Sequence, residues 1–327
     1  MREKNKFSPF IIFLMIFIFN GCATIVYKTI PLRNIAKVKG PYFVGTQNFQ
    51  IVDASRKMWF SGDIKGSRKL SVKMWYPADN ITSLKKAPYL NKHKLIGSAI
   101  SKLFGVPEAL MDRAGGVKCN SWLNAVPANG KFPVIIYSHG HQSIKIANTS
   151  QAEEMASNGY IVVAMDHSYD AALTILDEDK IIYSRSKLPA NDEEALQDSM
   201  ILRVENQLKI RTEDVSFVID ELKIMFEKDI RFSQVADFDN IGIFGHSFGG
   251  CTSIMSAYND TRIDAVLGLD AYFLPLPKEI IQNNLKESDQ VIDNLREKYI
   301  NAHMAWQRVE MINIGKAEEI YLSLIHI

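Results

Sequence analysis

The sequence predicts an α/β protein with a mostly parallel central sheet flanked by helices, on three observations. Asn240-Ile-Gly-Ile-Phe-Gly-His-Ser-Phe-Gly-Gly250 reads as a buried strand that turns sharply into a helix. Pro133–Ser138 and Tyr160–Met165 are continuous apolar runs, as expected of strands covered on both faces, with a helical stretch between them. Ile263–Leu269 is a further strand pattern, ending at Asp270. Strand, helix and strand in succession imply a crossover and parallel pairing. The 327 residues, 47% of them hydrophobic, suffice for one large core. A net charge of +1 gives no basis for binding nucleic acid, and three cysteines do not make a disulfide framework.

Taken in order, the chain starts with a basic patch at Arg2, Lys4 and Lys6, followed by an apolar stretch over Phe10–Phe19 that is too short to be an ordinary membrane span. Phe19-Asn20-Gly21-Cys22 resembles a bacterial lipoprotein processing site, so residues 1–22 are expected to be a signal and Cys22 the lipidated new N-terminus. An uncleaved anchor or a plain secretory signal is the other reading; in each case the folded part is expected outside the cytoplasm. Residues 23–39 read as a linker and 40–327 as the folded domain.

Gly40–Thr46 is a turn-rich entry. Asn48–Val52 and Lys69–Tyr76 alternate as early antiparallel strands, the second closed by Pro77. Leu95–Phe104 has helical spacing. The strand at Pro133–Ser138 ends at His139-Gly140-His141; a helix over Glu153–Ser157 stops at Asn158-Gly159, and the next strand is closed by Asp166-His167. Ser168–Ser199 is polar, with acids at Asp192, Glu193 and Glu194, and is expected to pass over the sheet as a lid. Ile201–Phe226 is a long helix whose apolar face carries Val204, Leu208, Val215, Val218, Ile219 and Leu222, with Arg211 breaking the stripe.

Gly245-His246-Ser247-Phe248-Gly249 matches the G-x-S-x-G nucleophile elbow in its strand–turn–helix setting. A serine hydroxyl must stand clear of the sheet for a base to reach it, and glycines allow the tight turn. A glycine-rich turn with an incidental serine is the alternative. Asp270 ends the next strand, on the same sheet edge as Ser247, where a buried carboxylate could orient a histidine; capping a turn is its other role. An oxyanion hole needs two backbone N–H groups. The expected donors are Phe248, following the nucleophile, and His141, in the loop after an earlier strand. His139 is expected to order that loop, and His246 to be structural.

These motifs resemble the plasma-type platelet-activating-factor acetylhydrolase family of α/β-hydrolases over about residues 40 to 277. The resemblance rests on Gly40-Pro-Tyr-Phe-Val-Gly-Thr46, Tyr137-Ser-His-Gly140, Ser157-Asn-Gly-Tyr-Ile-Val-Val-Ala164, Gly245-His-Ser-Phe-Gly-Gly250 and Leu269-Asp-Ala-Tyr-Phe-Leu-Pro-Leu276. It implies an α/β-hydrolase fold with Ser247 as nucleophile, Asp270 as acid and the amides of Phe248 and His141 as oxyanion donors. It implies hydrolysis of the sn-2 ester of phospholipids bearing acetyl or short, often oxidised, acyl chains, without calcium; the serine chemistry implies an acyl-enzyme, and no cofactor or metal is expected. The expected partners are an ester or phospholipid substrate and, through the lipid anchor, a membrane surface.

The pattern departs from the family at the base. Only His303 and His326 follow Asp270; His303 lies in a stretch of helical character, and His326 is the formal candidate. Leu322-Ser-Leu-Ile-His-Ile327 matches the translation of a common sequencing adapter, so the expectation is an artefactual end, with the catalytic histidine encoded further on. Phe248, Tyr272, Phe273 and Leu274 are candidates to accept an acyl chain or lipid surface, or are ordinary core. A general short-chain or polyester esterase of the same fold, and an inactive lipoprotein that keeps the fold for binding, are the rival functions.

Overall fold

The computed structural model describes residues 35–61, 63–105, 108, 116–277 and 280. Cys22, His303 and His326 lie outside them. The described residues divide into two compact units, one of residues 88–105, 108 and 116–119, the other of residues 35–61, 63–87, 120–277 and 280. In chain order the elements are β1 (Phe43–Lys57), β2 (Ser67–Asn80), β3 (Lys86–Pro88), α1 (His93–Phe104), β4 (Lys118–Leu123), β5 (Val126–Pro127), β6 (Phe132–Ser138), α2 (Thr149–Ser157), β7 (Ile161–Asp166), β8 (Leu173–Ile175), β9 (Ile181–Tyr183), α3 (Asp192–Ala195), α4 (Asp198–Lys228), β10 (Ala236–His246), α5 (Phe248–Asn259) and β11 (Ile263–Leu269). Helix α1 belongs to the first unit and ends at Gly105, whose left-handed φ of 65° suits a residue without a side chain.

The sheet runs β11–β10–β6–β7–β2–β1 along its main path. β11, β10, β6 and β7 are mutually parallel, as their apolar runs predict, whereas β2 is antiparallel to both β7 and β1. β7 shows why its sequence is unbroken: Ile161, Val163 and Met165 join one core with Val215, Val218, Ile219 and Leu222 of α4, while Val162 and Ala164 join another with Ala152 and Ala156 of α2. Each of the valine, isoleucine, leucine and methionine side chains, fully buried, contributes about 1.5–3 kcal/mol.

Several expectations are corrected. β2 does not stop at Pro77 but continues to Asn80, because its pairing with β7 ends at Trp75 and the proline has no N–H to leave stranded. β4 and β5 lie in a stretch not read as strand; β4 runs parallel to β1 at Gly45↔Trp122 and Thr46↔Leu123. The residues read as linker are packed from Ile35 on: Ile35 is buried, and the Lys39 amide donates to Glu154 Oε2 at 3.1 Å. Ser168–Ser199 is not all surface. Ser168, Asp170, Ala171, Ala172, Leu173 and Thr174 are buried, and a β8–β9 hairpin follows. Among the described residues no helix is long and apolar enough to cross a membrane.

Candidate active site

Ser247 sits between β10 and α5 with φ 52° and ψ −120°, a backbone state that costs a non-glycine residue on the order of 1–3 kcal/mol. The surroundings enforce it. The Ser247 amide donates to Leu269 O at 2.9 Å, and the Tyr272 amide donates to Ser247 O at 3.0 Å, so the end of β11 clamps the turn on both sides. The glycines answer to space. A Cβ at Gly249 would lie 2.1 Å from Ser138 O, and one at Gly245 would lie 2.3 Å from Gly249 O. The serine remains half-exposed at the tip.

The register His246↔Leu269 places Ser247 and Asp270 at the same C-terminal edge of adjacent parallel strands. Asp270 has a left-handed φ of 46° and is exposed, where the sequence reading expected a buried carboxylate. Among the described residues β11 has only β10 as a neighbour, which leaves its end open. Among the same residues no side chain hydrogen-bonds the Ser247 hydroxyl.

The loop after β6 passes directly under the elbow: a Cβ on Gly140 would be 3.6 Å from Ser247 Cβ and 3.3 Å from His246 Nδ1. Phe248 opens α5, so its amide belongs to the first turn, where helical N–H groups have no partner within the helix. Among the described residues no acceptor engages the amide of Phe248 or of His141. His139 orders the loop, as expected. Its Nδ1 donates to Gly140 O at 2.7 Å and its Nε2 accepts the His167 amide at 3.2 Å, which fixes a neutral tautomer. The His141 ring is half-buried; burial pulls its pKa down, partly offset by Asp170 and the Ser186 carbonyl, and its Nε2 has no partner. Phe248 is buried, with its ring edge-on to Tyr272 at 6.2 Å, while Phe273 and Leu274 are 54% and 56% exposed.

Behind the loop lies a buried polar array, of which the sequence showed only Arg211, as a break in an apolar stripe. Ser138 Oγ donates to His167 Nε2 at 3.0 Å, and His167 Nδ1 donates to Asp214 Oδ2 at 2.9 Å. Asp214 also accepts from Arg68 Nη2 at 2.6 Å and Arg56 Nη1 at 3.0 Å. Arg211 Nη1 donates to Asp170 Oδ1 at 2.7 Å. The Ser138, His167 and Asp214 side chains have the connectivity of a hydroxyl–imidazole–carboxylate relay, but all three residues are fully buried. They therefore brace the loop and do not meet a substrate. The available signal was the spacing of Arg211 and Asp214, a charged pair on the apolar side of one helix.

Burial, with Arg211 nearby, lowers the His167 pKa to about 4, against the opposing pull of Asp214. His139 is lowered well below its usual value, chiefly by burial. Between pH 6.5 and 4 the unfolded chain therefore binds protons that the native state refuses, so stability is full above pH 6.5 and is lost as pH falls through this window. His167 alone accounts for roughly 2–3 kcal/mol of that loss. Urea unfolding at pH 7.5 and pH 4.5 should show a clearly lower midpoint at the acid pH; equal midpoints would mean that the imidazoles protonate in place.

An elbow serine on a mostly parallel, helix-covered sheet, with a carboxylate closing the next strand, defines the α/β-hydrolase fold. In a solved structure, a ferulic acid esterase from Streptomyces cinnamoneus is similar, with a TM-score of 0.59 and 25% identity, covering 78% of this chain and 73% of that one. The chain belongs to the family described as platelet-activating factor acetylhydrolase, isoform II, whose profile matches residues 28–292. Platelet-activating factor acetylhydrolase of Gallus gallus is 25% identical over 278 residues, and that of Canis lupus familiaris 24% over 281. These alignments take in 76% and 79% of this chain but 63% and 60% of the relatives, so the chain spans less than two thirds of their length.

Proposed function

We propose that the chain is a serine esterase cleaving acetyl or short, oxidised acyl groups from the sn-2 position of phospholipids, without calcium. The observation that carries this reading is the strained Ser247, clamped by β11 and faced by the Gly140 loop. Family membership and the names of the relatives supply the substrate class. Ser247 Oγ attacks the ester carbonyl and gives its proton to a histidine, which Asp270 orients; His326 is the formal candidate for that base. The amides of Phe248 and His141 hold the developing oxyanion. Collapse expels the lysophospholipid alcohol, which takes the proton back. Water, deprotonated by the same histidine, then attacks the acyl-enzyme and releases the acid.

The test is hydrolysis of phosphatidylcholines with sn-2 acetyl or sn-2 palmitoyl chains, with and without EDTA. The expected result is cleavage of the acetyl lipid only, unchanged by EDTA. The likeness to a ferulic acid esterase favours a second reading, a general esterase of small acids, for which p-nitrophenyl acetate is cleaved and neither phospholipid is. We further propose export and lipidation at Cys22, supported by the Phe10–Phe19 stretch and the Gly21-Cys22 junction. Radiolabelled palmitate should enter the wild-type chain and not Cys22→Ser.

A further inference from the structure

We propose that Arg211 is a positioning residue that locks the two donors of the oxyanion hole into one geometry; this rests on the reading of Ser247 as nucleophile. Arg211 stands on the buried face of α4 among Gln207, Leu208, Asp214 and Val215, and its side chain is fully buried. Its guanidinium touches both halves of the hole. Nη2 donates to His139 O, in the loop that leads to His141, and to Ser138 Oγ at 3.0 Å. Its Cζ lies over the Phe248 ring, 4.9 Å from the ring centre. A third contact, Nη1 to Asp170, continues through Ser186 Oγ, which donates to Asp170 Oδ2 at 3.2 Å, toward the His141 side of the loop.

The geometry explains how a buried cation aims an amide. His139 O and the Gly140 N–H belong to one peptide plane, and Arg211 holds that plane through the carbonyl. Gly140 O and the His141 N–H belong to the next plane, and the His139 ring holds it through the carbonyl. Peptide planarity then sets the direction of the His141 N–H. On the other side, the guanidinium over the Phe248 ring braces the residue that supplies the second donor.

Stability alone does not explain why this residue is an arginine. Burial depresses its pKa, partly offset by Asp170 and Asp214, and its Nε has no partner. A buried ion pair replaced as a whole by well-packed apolar side chains is often as stable or more so, whereas removing Arg211 alone strands the buried carboxylate of Asp170. Lysine cannot replace it, because an ammonium has neither the planar fork nor the flat face.

The experiment compares wild type, Arg211→Met and Arg211→Lys of the full chain. Active sites are counted by fluorophosphonate labelling, and the rates on p-nitrophenyl acetate and its thionoester are measured. Sulfur is a weak hydrogen-bond acceptor, so an aimed hole favours the oxoester, and a merely structural lesion leaves that preference intact. Arg211→Met should lower kcat per labelled site by about 100-fold with KM little changed, comparable to the loss of one oxyanion donor, and should cut the oxo-over-thiono preference about tenfold. Arg211→Lys, which keeps the charge and serves as the readout if the methionine variant does not fold, should show the same change in preference. A labelled wild type whose variants keep both kcat per site and the preference would overturn this proposal alone. A wild type that does not label at Ser247 would overturn the nucleophile reading, and this proposal with it.

Discussion

Ser247→Ala should abolish fluorophosphonate labelling and lower kcat on p-nitrophenyl acetate by at least ~10⁴-fold, as removal of a triad nucleophile does elsewhere. The fold should survive. The bonds that clamp the turn, Ser247 N to Leu269 O and Tyr272 N to Ser247 O, belong to the backbone and do not involve the hydroxyl. Ser247→Gly sharpens the test. Glycine adopts the φ of 52° without a side-chain penalty, so this variant should be equally inactive yet more stable than Ser247→Ala, by about 1 kcal/mol. Inactivity with a raised melting temperature would show that the turn keeps its strain for the sake of a hydroxyl. Residual activity within tenfold of wild type would end the nucleophile assignment.

Asp214→Ala should cost about 3–5 kcal/mol of unfolding free energy, the usual loss when one partner of a buried ionic cluster is removed. Asp214 accepts from Arg68 Nε and Nη2, from Arg56 Nη1 and from His167 Nδ1, and it is fully buried. Burial alone would raise its pKa; Arg68 and the other donors outweigh that and hold it below the ordinary carboxylate range. Its removal strands the guanidinium of Arg68, itself fully buried, and frees the ring that holds Ser138. Asp214→Asn is expected to be nearly as costly, because its NH₂ would face a donor from Arg68 or His167. Urea unfolding at pH 7.5 measures both, and a loss under 1 kcal/mol for either would show that the cluster reorganises around water.

Legibility in the sequence followed the range of each interaction. β7 and β6 were readable because layers on both faces demand apolar residues at nearly every position. β4 and β5 were not, being short and, in β4, mixed in polarity, with a register set by partners elsewhere in the chain. The stretch from Ser168 to Thr174 looked like surface because its polarity implied water. In the folded chain Ser168 Oγ instead donates to Lys69 O, and Asp170 pairs with Arg211. Buried polarity of this kind cannot be told from exposed polarity until the partner is known.

The sequence by itself determined the elbow. Ser247 is flagged by Gly245 and Gly249, and those glycines are needed because neighbouring backbone oxygens leave no room for a Cβ. It also determined that Asp270 follows on the next strand, since pairing between consecutive parallel strands brings their ends together. Only the tertiary structure decided what supports the site. Asp214 and Arg68 stand 146 residues apart in the chain, and Arg211 and His139 stand 72 apart. Glycine at a tight turn is a demand of local geometry and is written beside the serine it serves. The pairing of buried charges is a matter of distance through space, which the folded chain alone sets.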